Sequence, residues 1–265
     1  MATPRSTSEV LQYNRDAWDR LASQGNQWTV PATAESVDLA RMGEPKIVLT
    51  PKKIVPKEWL MPLAGKDVLC LAGGGGQQAP ILAAAGANVT TLDNSQAQLN
   101  RDLLVAKRES LSVKTVLGLM DDLSAFAAQS FDLIVHPCSN SFTPDVRAVW
   151  REAFRVTRPG GSIISGFTNP AYYLFDYRKA QQGNLVVKHK IPYSDLQSLS
   201  EAERQHFIDE GEPLEFGHTL ADQIGGQLAA GFSLADMYED NWPEGAGAAA
   251  DYFDPFIATR SVRLA

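Results

Sequence analysis

Residues 68–93 read VLCLAGGGGQQAPILAAAGANVTTLD. The segment Asp67 to Leu71, apolar from Val68 on, predicts a buried strand, and after Ala72 come the four glycines Gly73 to Gly76. A helix is expected from Gln78 to Ala85, closed by Gly86, and a second strand from Asn88 to Leu92. Strand, glycine turn, helix and strand form the repeating unit of a parallel α/β sheet. Glycines carry no Cβ, so backbone N–H groups can approach a polar ligand closely. Asp93, at the end of the second strand, can accept hydrogen bonds from both hydroxyls of an adenosine ribose.

The same alternation continues downstream. Asn94 or Ser95 begins another helix, with Ser95 and Gln98 spaced as a capping box. Further strands are expected at Lys114–Leu117, Asp132–Val135 and Ser162–Phe167, the last entered through a turn at Pro159, Gly160 and Gly161. Thr143, with Pro144 behind it, reads as the start of the helix between the fourth and fifth strands. Past Asn169 the rhythm fails for about 45 residues, which read as an insertion over the carboxyl edge of the sheet. It returns with a helix at Thr219–Ala230 and strands at Phe232–Tyr238 and Phe256–Arg263, joined by a loose loop containing GAGAAA at Gly245 to Ala250.

Upstream, Val10, Leu11, Ala17, Trp18 and Leu21 recur at helical spacing between Ser8 and Ser23. The stretch Gln27 to Pro62 carries five prolines, and is expected to wrap the main domain, anchored by Trp28 and Trp59. The chain thus reads as one domain over 1–265: an N-terminal helix and wrapping segment (1–62), a core (63–169), an insertion that can lid the site (170–217) and a closing helix with strands (218–265).

The 265 residues are 44% hydrophobic and 21% charged, with a formal net charge of -7. This acidity disfavours phosphate backbones and anionic membranes, so a small-molecule partner is expected and nucleic acid is not. No run approaches the roughly 18 apolar residues of a membrane span, and the start MATPRSTSEV has no apolar signal core, which predicts a cytoplasmic protein. Cys70 and Cys138 are the two cysteines, and neither CxxC nor HExxH occurs, so neither a disulfide framework nor a metal site is expected. Oligomeric state is left open.

The glycine loop alone permits two cofactors. Gly74, Gly76 and Ala79 also satisfy G-x-G-x-x-A with Asp93 downstream, a dinucleotide fingerprint that keeps an NAD(P)-dependent oxidoreductase open. Against it, the Tyr-x-x-x-Lys pair of short-chain dehydrogenases is absent from the sequence.

Taken together, VLCLAGGGG (68–76), TLDNS (91–95), FDLIVH (131–136) and RVTRPGGSIISG (155–166) resemble the class I S-adenosylmethionine (SAM)-dependent methyltransferases, most closely the methyltransferase-11 group. The resemblance implies a Rossmann-like seven-stranded sheet, mostly parallel with the last strand antiparallel, and helices on both faces. It also implies a cofactor site built from Leu71, Ala72, Gly73, Gly74, Gly75, Gly76 and Gln77 around the loop, with Asp93, Asn94 and Gln98 at the ribose. Leu119, Met120 and Asp121 then face the adenine, His136 and Pro137 end the fourth strand, and Tyr13 closes over the cofactor from the N-terminal helix. Two departures from the family stand out: Cys70 replaces the usual first-strand acid, and Ala72 replaces the first glycine. In addition, Leu119 follows Gly118 where the family usually has an acid.

Methyl transfer is an in-line displacement that needs a base only if the acceptor must lose a proton. His136 and His218 can supply one, or can equally serve as hydrogen-bonded supports. Asn140, Phe142, Tyr172 and Tyr173 are expected at the acceptor pocket. Asn169-Pro170-Ala171-Tyr172 is superficially similar to a DNA amino-methyltransferase motif, but it follows the wrong strand and reads as a turn. A SAM-binding protein without turnover is the non-enzymatic alternative.

Overall fold

The computed structural model describes residue 4 and residues 6–60, 62–243 and 248–265. Its main sheet contains β1 (Asp67–Leu71), β2 (Asn88–Asp93), β3 (Val113–Leu117), β4 (Phe131–His136), β5 (Thr157–Thr168), β8 (Ser233–Asp240) and β9 (Phe256–Val262). A separate two-residue pair joins β6 (Tyr193–Ser194) to β7 (Phe216–Gly217). The strand order is β3-β2-β1-β4-β5-β9-β8, parallel from β3 to β5, with β9 antiparallel to both neighbours. The seven-stranded Rossmann-like sheet expected from the sequence is therefore present.

Alternation along β1 shows why the sheet is covered twice. Val68 and Cys70 join one apolar cluster, with Ala79 and Leu82 of α4 (Gln78–Ala84), while Leu69 and Leu71 join another, with Val149, Trp150 and Ala153 of α6 (Val146–Val156). All four β1 side chains are wholly buried, so a polar residue on either face would be stranded from water. The order reverses between β1 and β4, which opens a crevice at the carboxyl ends of these strands, where the glycine loop begins.

Several local expectations change. The wrapping segment contains two helices, α2 (Ala34–Arg41) and α3 (Lys57–Leu60), with Thr33 capping α2 through the Ser36 N–H. Trp59 anchors the segment, 4% exposed with Nε1 donating to Asp236, whereas Trp28 is 37% exposed and rests against Trp242. Helix α6 starts one turn later than Thr143: Asp145 is its cap, accepting the Ala148 N–H at 3.0 Å, while Thr143, which precedes a proline, stays extended. The Pro159-Gly160-Gly161 step is an irregularity within β5 and not a turn before it. Gly160 and Gly161 exchange backbone hydrogen bonds with Arg263, and the β4–β5 register shifts between Phe131 and Leu133. The small-residue stretch at 245–250 lies partly outside the described residues.

The wrapping segment meets the sheet at Gly166 of β5. A Cβ there would fall 2.3 Å from the Leu49 carbonyl oxygen, so only glycine lets residues 48–51 lie across the strand end and wall the crevice. Helix α1 (Thr7–Gln24) braces two other parts. Asp19 Oδ1 accepts from Ser95 Oγ and the Ala97 N–H at the start of α5 (Gln96–Arg108), while the Asn14 amide makes two hydrogen bonds with the backbone of Leu214. Between β5 and β7 the chain forms α7 (Tyr177–Gln181), α8 (Asp195–Ser198) and α9 (Glu201–Glu210), and α10 (Leu220–Ala230) then packs on α6.

Candidate active site

A cavity of about 810 Å³ occupies the crevice. Of the residues expected at a cofactor, it brings together Ala72, Gly73, Gly74, Gln77, Asp93 and Asn94. Gln98, Leu119, Met120, Asp121 and Pro137 line it as well, as do Phe142, Tyr172 and Tyr173 from the expected acceptor side.

Asp93 reaches under the loop. Its Oδ2 accepts the Gly74 N–H at 3.0 Å and its Oδ1 the Ser95 N–H at 2.9 Å, leaving further lone pairs on both oxygens for a ligand. Burial raises its carboxyl to about 6, partly offset by these backbone N–H groups. Ser95 caps α5 by accepting the Gln98 N–H, but because its own N–H is given to Asp93 the reciprocal half of the capping box does not form. The Gln98 side chain is thereby released, and its Oε1 is buried without a hydrogen-bond partner among the described residues. A Cβ on Gly74 would fall 2.8 Å from Gln98 Cβ and 3.1 Å from Asp93 Oδ2, so the loop's second glycine is what leaves these groups room. Ala72 holds a left-handed φ of 46°, donating to the Leu92 carbonyl at 2.7 Å and accepting from Ser139 Oγ at 2.6 Å.

Other expected residues lie outside the cavity. Leu71 is core, and Gly75 and Gly76 are buried behind the loop, where the Gly76 N–H donates to Asp102 at 2.7 Å. Tyr13 does not line the cavity: it is 5% exposed, packs with Ile208, Leu214 and Phe216, and its hydroxyl donates to the Glu212 carbonyl at 2.8 Å. His136 is 0% exposed, with Nδ1 2.7 Å from the Leu71 carbonyl and Nε2 2.7 Å from the Asn140 side chain. Both ring nitrogens are used and burial lowers the pKa, so His136 ties the end of β4 to the end of β1 and cannot act as a base in the cavity. Asn140, 1% exposed, completes that tie through Gln223 and does not line the pocket. His218 points Nε2 at the carbonyls of Asn140 and Thr143, 3.1 and 2.9 Å away, and is also absent from the cavity wall.

The sequence reading missed the groups that dominate the far end. Tyr193, Asp195, His189 and Glu215 all line the cavity there. Tyr173 donates to Glu215 Oε2 at 2.7 Å, Tyr193 donates to Asp195 Oδ1 at 2.5 Å, and Asp195 Oδ2 accepts the Glu215 N–H at 2.6 Å. Tyr173 stacks on Tyr193 with ring centroids 5.2 Å apart, and His189 meets Tyr193 edge-on at 5.0 Å. Burial, aggravated by Asp195, raises Glu215 to about 7. No periodicity marked these residues; the one signal was the density of tyrosine beside acid in an irregular segment.

A Rossmann-like sheet whose β9 runs antiparallel between β5 and β8, with a glycine loop at its switch point and an acid closing β2, matches the class I SAM-dependent methyltransferase fold implied by the sequence. The methyltransferase domain family matches residues 69–165. Over 255 residues the chain is 49% identical to the uncharacterized methyltransferase YbaJ of Bacillus subtilis (strain 168), covering 96% of this chain and 99% of that one. The chain belongs to this methyltransferase family, and SAM is its cofactor. Among solved structures, the 1,6-didemethyltoxoflavin-N1-methyltransferase of Burkholderia thailandensis, with bound S-adenosylhomocysteine, superposes with a TM-score of 0.61, at 14% identity over 100% of this chain and 93% of that one. A SAM-dependent methyltransferase of Mesorhizobium loti gives 0.60, at 17% identity over 77% and 94%. At these identities the two structures attest the fold alone. The residues present suit the cofactor: Gly74 leaves the cradle open, and Gln98 Oε1 and Asp93 offer acceptors to a ligand with hydroxyl donors.

Proposed function

We propose that this methyltransferase acts on a small-molecule acceptor enclosed beneath residues 170–217, and the observation that carries the reading is the continuity of one cavity. Its wall runs from Gly74 and Asp93 to Tyr173 and Glu215, and about 810 Å³ is within the range of small-molecule pockets. Among the described residues, no helix is long and apolar enough to cross a membrane.

In this reading Ala72 to Gly74 and Gln77 bring the loop backbone to the methionine end of SAM. Asp93, with Asn94 and Gln98, accepts from the ribose hydroxyls. Leu119, Met120 and Asp121 border the adenine, and Pro137 packs against the loop, its Cδ 3.4 Å from where a Gly73 Cβ would stand. When bound, the sulfonium supplies an electrophilic methyl carbon. The protein's contribution is to hold the acceptor atom in line behind that carbon and to exclude water, which α1, residues 48–51 and the 170–217 segment do from three sides.

Incubation with methyl-labelled SAM and a size-fractionated bacterial extract tests the reading. Label is expected in the fraction below about 1 kDa, the size class such pockets take. Label confined to protein or nucleic acid would overturn it.

A further inference from the structure

The ion pairs of the 170–217 segment lie on its partly exposed surface, where Lys188 bridges Asp176 and Glu203 at 2.9 and 2.6 Å and Arg178 reaches Glu210 at 3.4 Å. Among the described residues the enclosed carboxyls of Asp93, Asp102, Asp240, Asp195 and Glu215 make no ion pair. Asp93 and Asp102 hold the glycine loop and Asp240 accepts the Lys52 and Lys53 N–H groups, whereas Asp195 and Glu215 line the cavity at its other end. Their hydrogen bonds come from tyrosine hydroxyls and one backbone N–H, which are neutral donors. Two adjacent carboxyls this enclosed are costly to ionise together: Arg204 eases Asp195, while burial with Asp195 alongside raises Glu215 to about 7. Tyr172, Tyr173 and Tyr193 wall the same end with aromatic rings, Tyr173 and Tyr193 stacked on each other. Elsewhere in this cavity Gln98 Oε1, 6% exposed as a residue and unpartnered, also awaits a donor, so the space is built to be filled.

We propose, resting on the small-molecule reading above, that the acceptor is a protonated aromatic or arylalkyl amine, that Glu215 binds its ammonium group and takes its proton, and that Tyr173 positions Glu215. The chemistry balances. The ammonium passes a proton to the Glu215 carboxylate, giving a neutral amine and a carboxylic acid. The freed lone pair forms the N–C bond as the S–C bond breaks, its electron pair returning to sulfur. The product is a methylated ammonium and neutral S-adenosylhomocysteine, with one proton left on Glu215 to be released to water. A carboxyl that titrates near neutral pH suits this exchange.

The groups facing Glu215 are Tyr172 and Tyr173, Tyr177 of α7, Tyr193 of β6, Asp195 of α8 and Glu212, while Arg204 of α9 acts on Asp195. None of the tyrosines ionises near neutrality, since burial raises all four. Amine binding is therefore expected to follow Glu215, strengthening as the pH rises through about 7.

The test uses the full chain saturated with S-adenosylhomocysteine and three probes of one shape, phenethylamine, 2-phenylethanol and 3-phenylpropanoate, read by calorimetry and ligand-observed NMR. The amine should bind roughly tenfold or more tighter than the others, and Glu215→Gln should remove that preference while S-adenosylhomocysteine affinity is unchanged. Equal or tighter binding of the alcohol or carboxylate overturns the amine assignment and leaves the small-molecule reading standing. Binding of none of the three, with S-adenosylhomocysteine still bound, overturns the arylalkylamine assignment and leaves the small-molecule reading to the labelled extract. An equal loss of S-adenosylhomocysteine affinity in Glu215→Gln would place Glu215 at the cofactor and overturn the proposal. If that variant does not fold, amine binding to the unaltered protein that is flat between pH 6 and 8 overturns it.

Discussion

Asp102 Oδ1 accepts the backbone N–H of Gly76 at 2.7 Å, with the carboxyl wholly buried beneath the glycine loop. The acid that steadies the loop thus arrives from α5, while β1 carries Cys70, an apolar neighbour whose thiol is pushed up by burial. Burial raises Asp102 to about 7, so folding favours its protonated form. The stability it contributes is complete below the unfolded carboxylate range, near pH 4, and is lost as the pH rises towards 7. Asp102→Asn keeps an acceptor for Gly76 without the charge. Urea unfolding at pH 5, 6, 7 and 8 should show the unaltered protein losing up to about 1.4 kcal/mol per pH unit from this group, and the variant a visibly shallower decline. An identical slope in both would refute the assignment.

Asp93 carries the expected ribose contact. Asp93→Ala should weaken S-adenosylhomocysteine binding by about 1.5–3 kcal/mol, the worth of hydrogen bonds to a charged acceptor. With its carboxyl at about 6, affinity in the unaltered protein should also fall as the pH drops below that value, because protonation removes acceptor capacity. Calorimetry between pH 5 and 8 reads both effects, and an unchanged affinity in the variant would move the ribose elsewhere.

His136 is a tie and not a base, and its removal should look like one. His136→Phe is expected to lower unfolding free energy by roughly 2–4 kcal/mol, since two buried hydrogen bonds are lost and the Leu71 carbonyl and Asn140 are left unsatisfied. In the fraction that remains folded, the pH profile of methyl transfer should keep its shape. Loss of a limb titrating near pH 6.5, the ordinary histidine range, would restore the base assignment.

Ala72 stands with φ of 46°, a conformation that costs a Cβ-bearing residue about 1–2 kcal/mol. Ala72→Gly should relieve the strain, and after the added entropy of the unfolded chain a gain of a few tenths to about 1 kcal/mol should appear as a raised Tm. Its hydrogen bonds with the Leu92 carbonyl and the Ser139 hydroxyl use its own backbone N–H and C=O and persist. A lowered Tm would show that the alanine methyl makes a contact worth more than the strain.

By itself the sequence determined what depends on period and on local chemistry. The apolar run Val68 to Leu71, the glycines after it, Asp93 after the second strand and Gly231 after the last helix each carry their conformation in the adjacent residues, so the sheet, its helices and the cofactor loop were legible. Helix α2 was hidden because prolines surround it, and the start of α6 because Asp145 competed with Thr143 for the cap. Only tertiary structure decided which polar residues face the cavity. His136 and Asn140 bond to each other and stay out of the cavity wall, Tyr13 is claimed by the Glu212 carbonyl, and Glu215 meets Tyr173 across 42 positions that include three short helices. Such pairings are set by the packing of segments distant in sequence. No spacing along the chain encodes them.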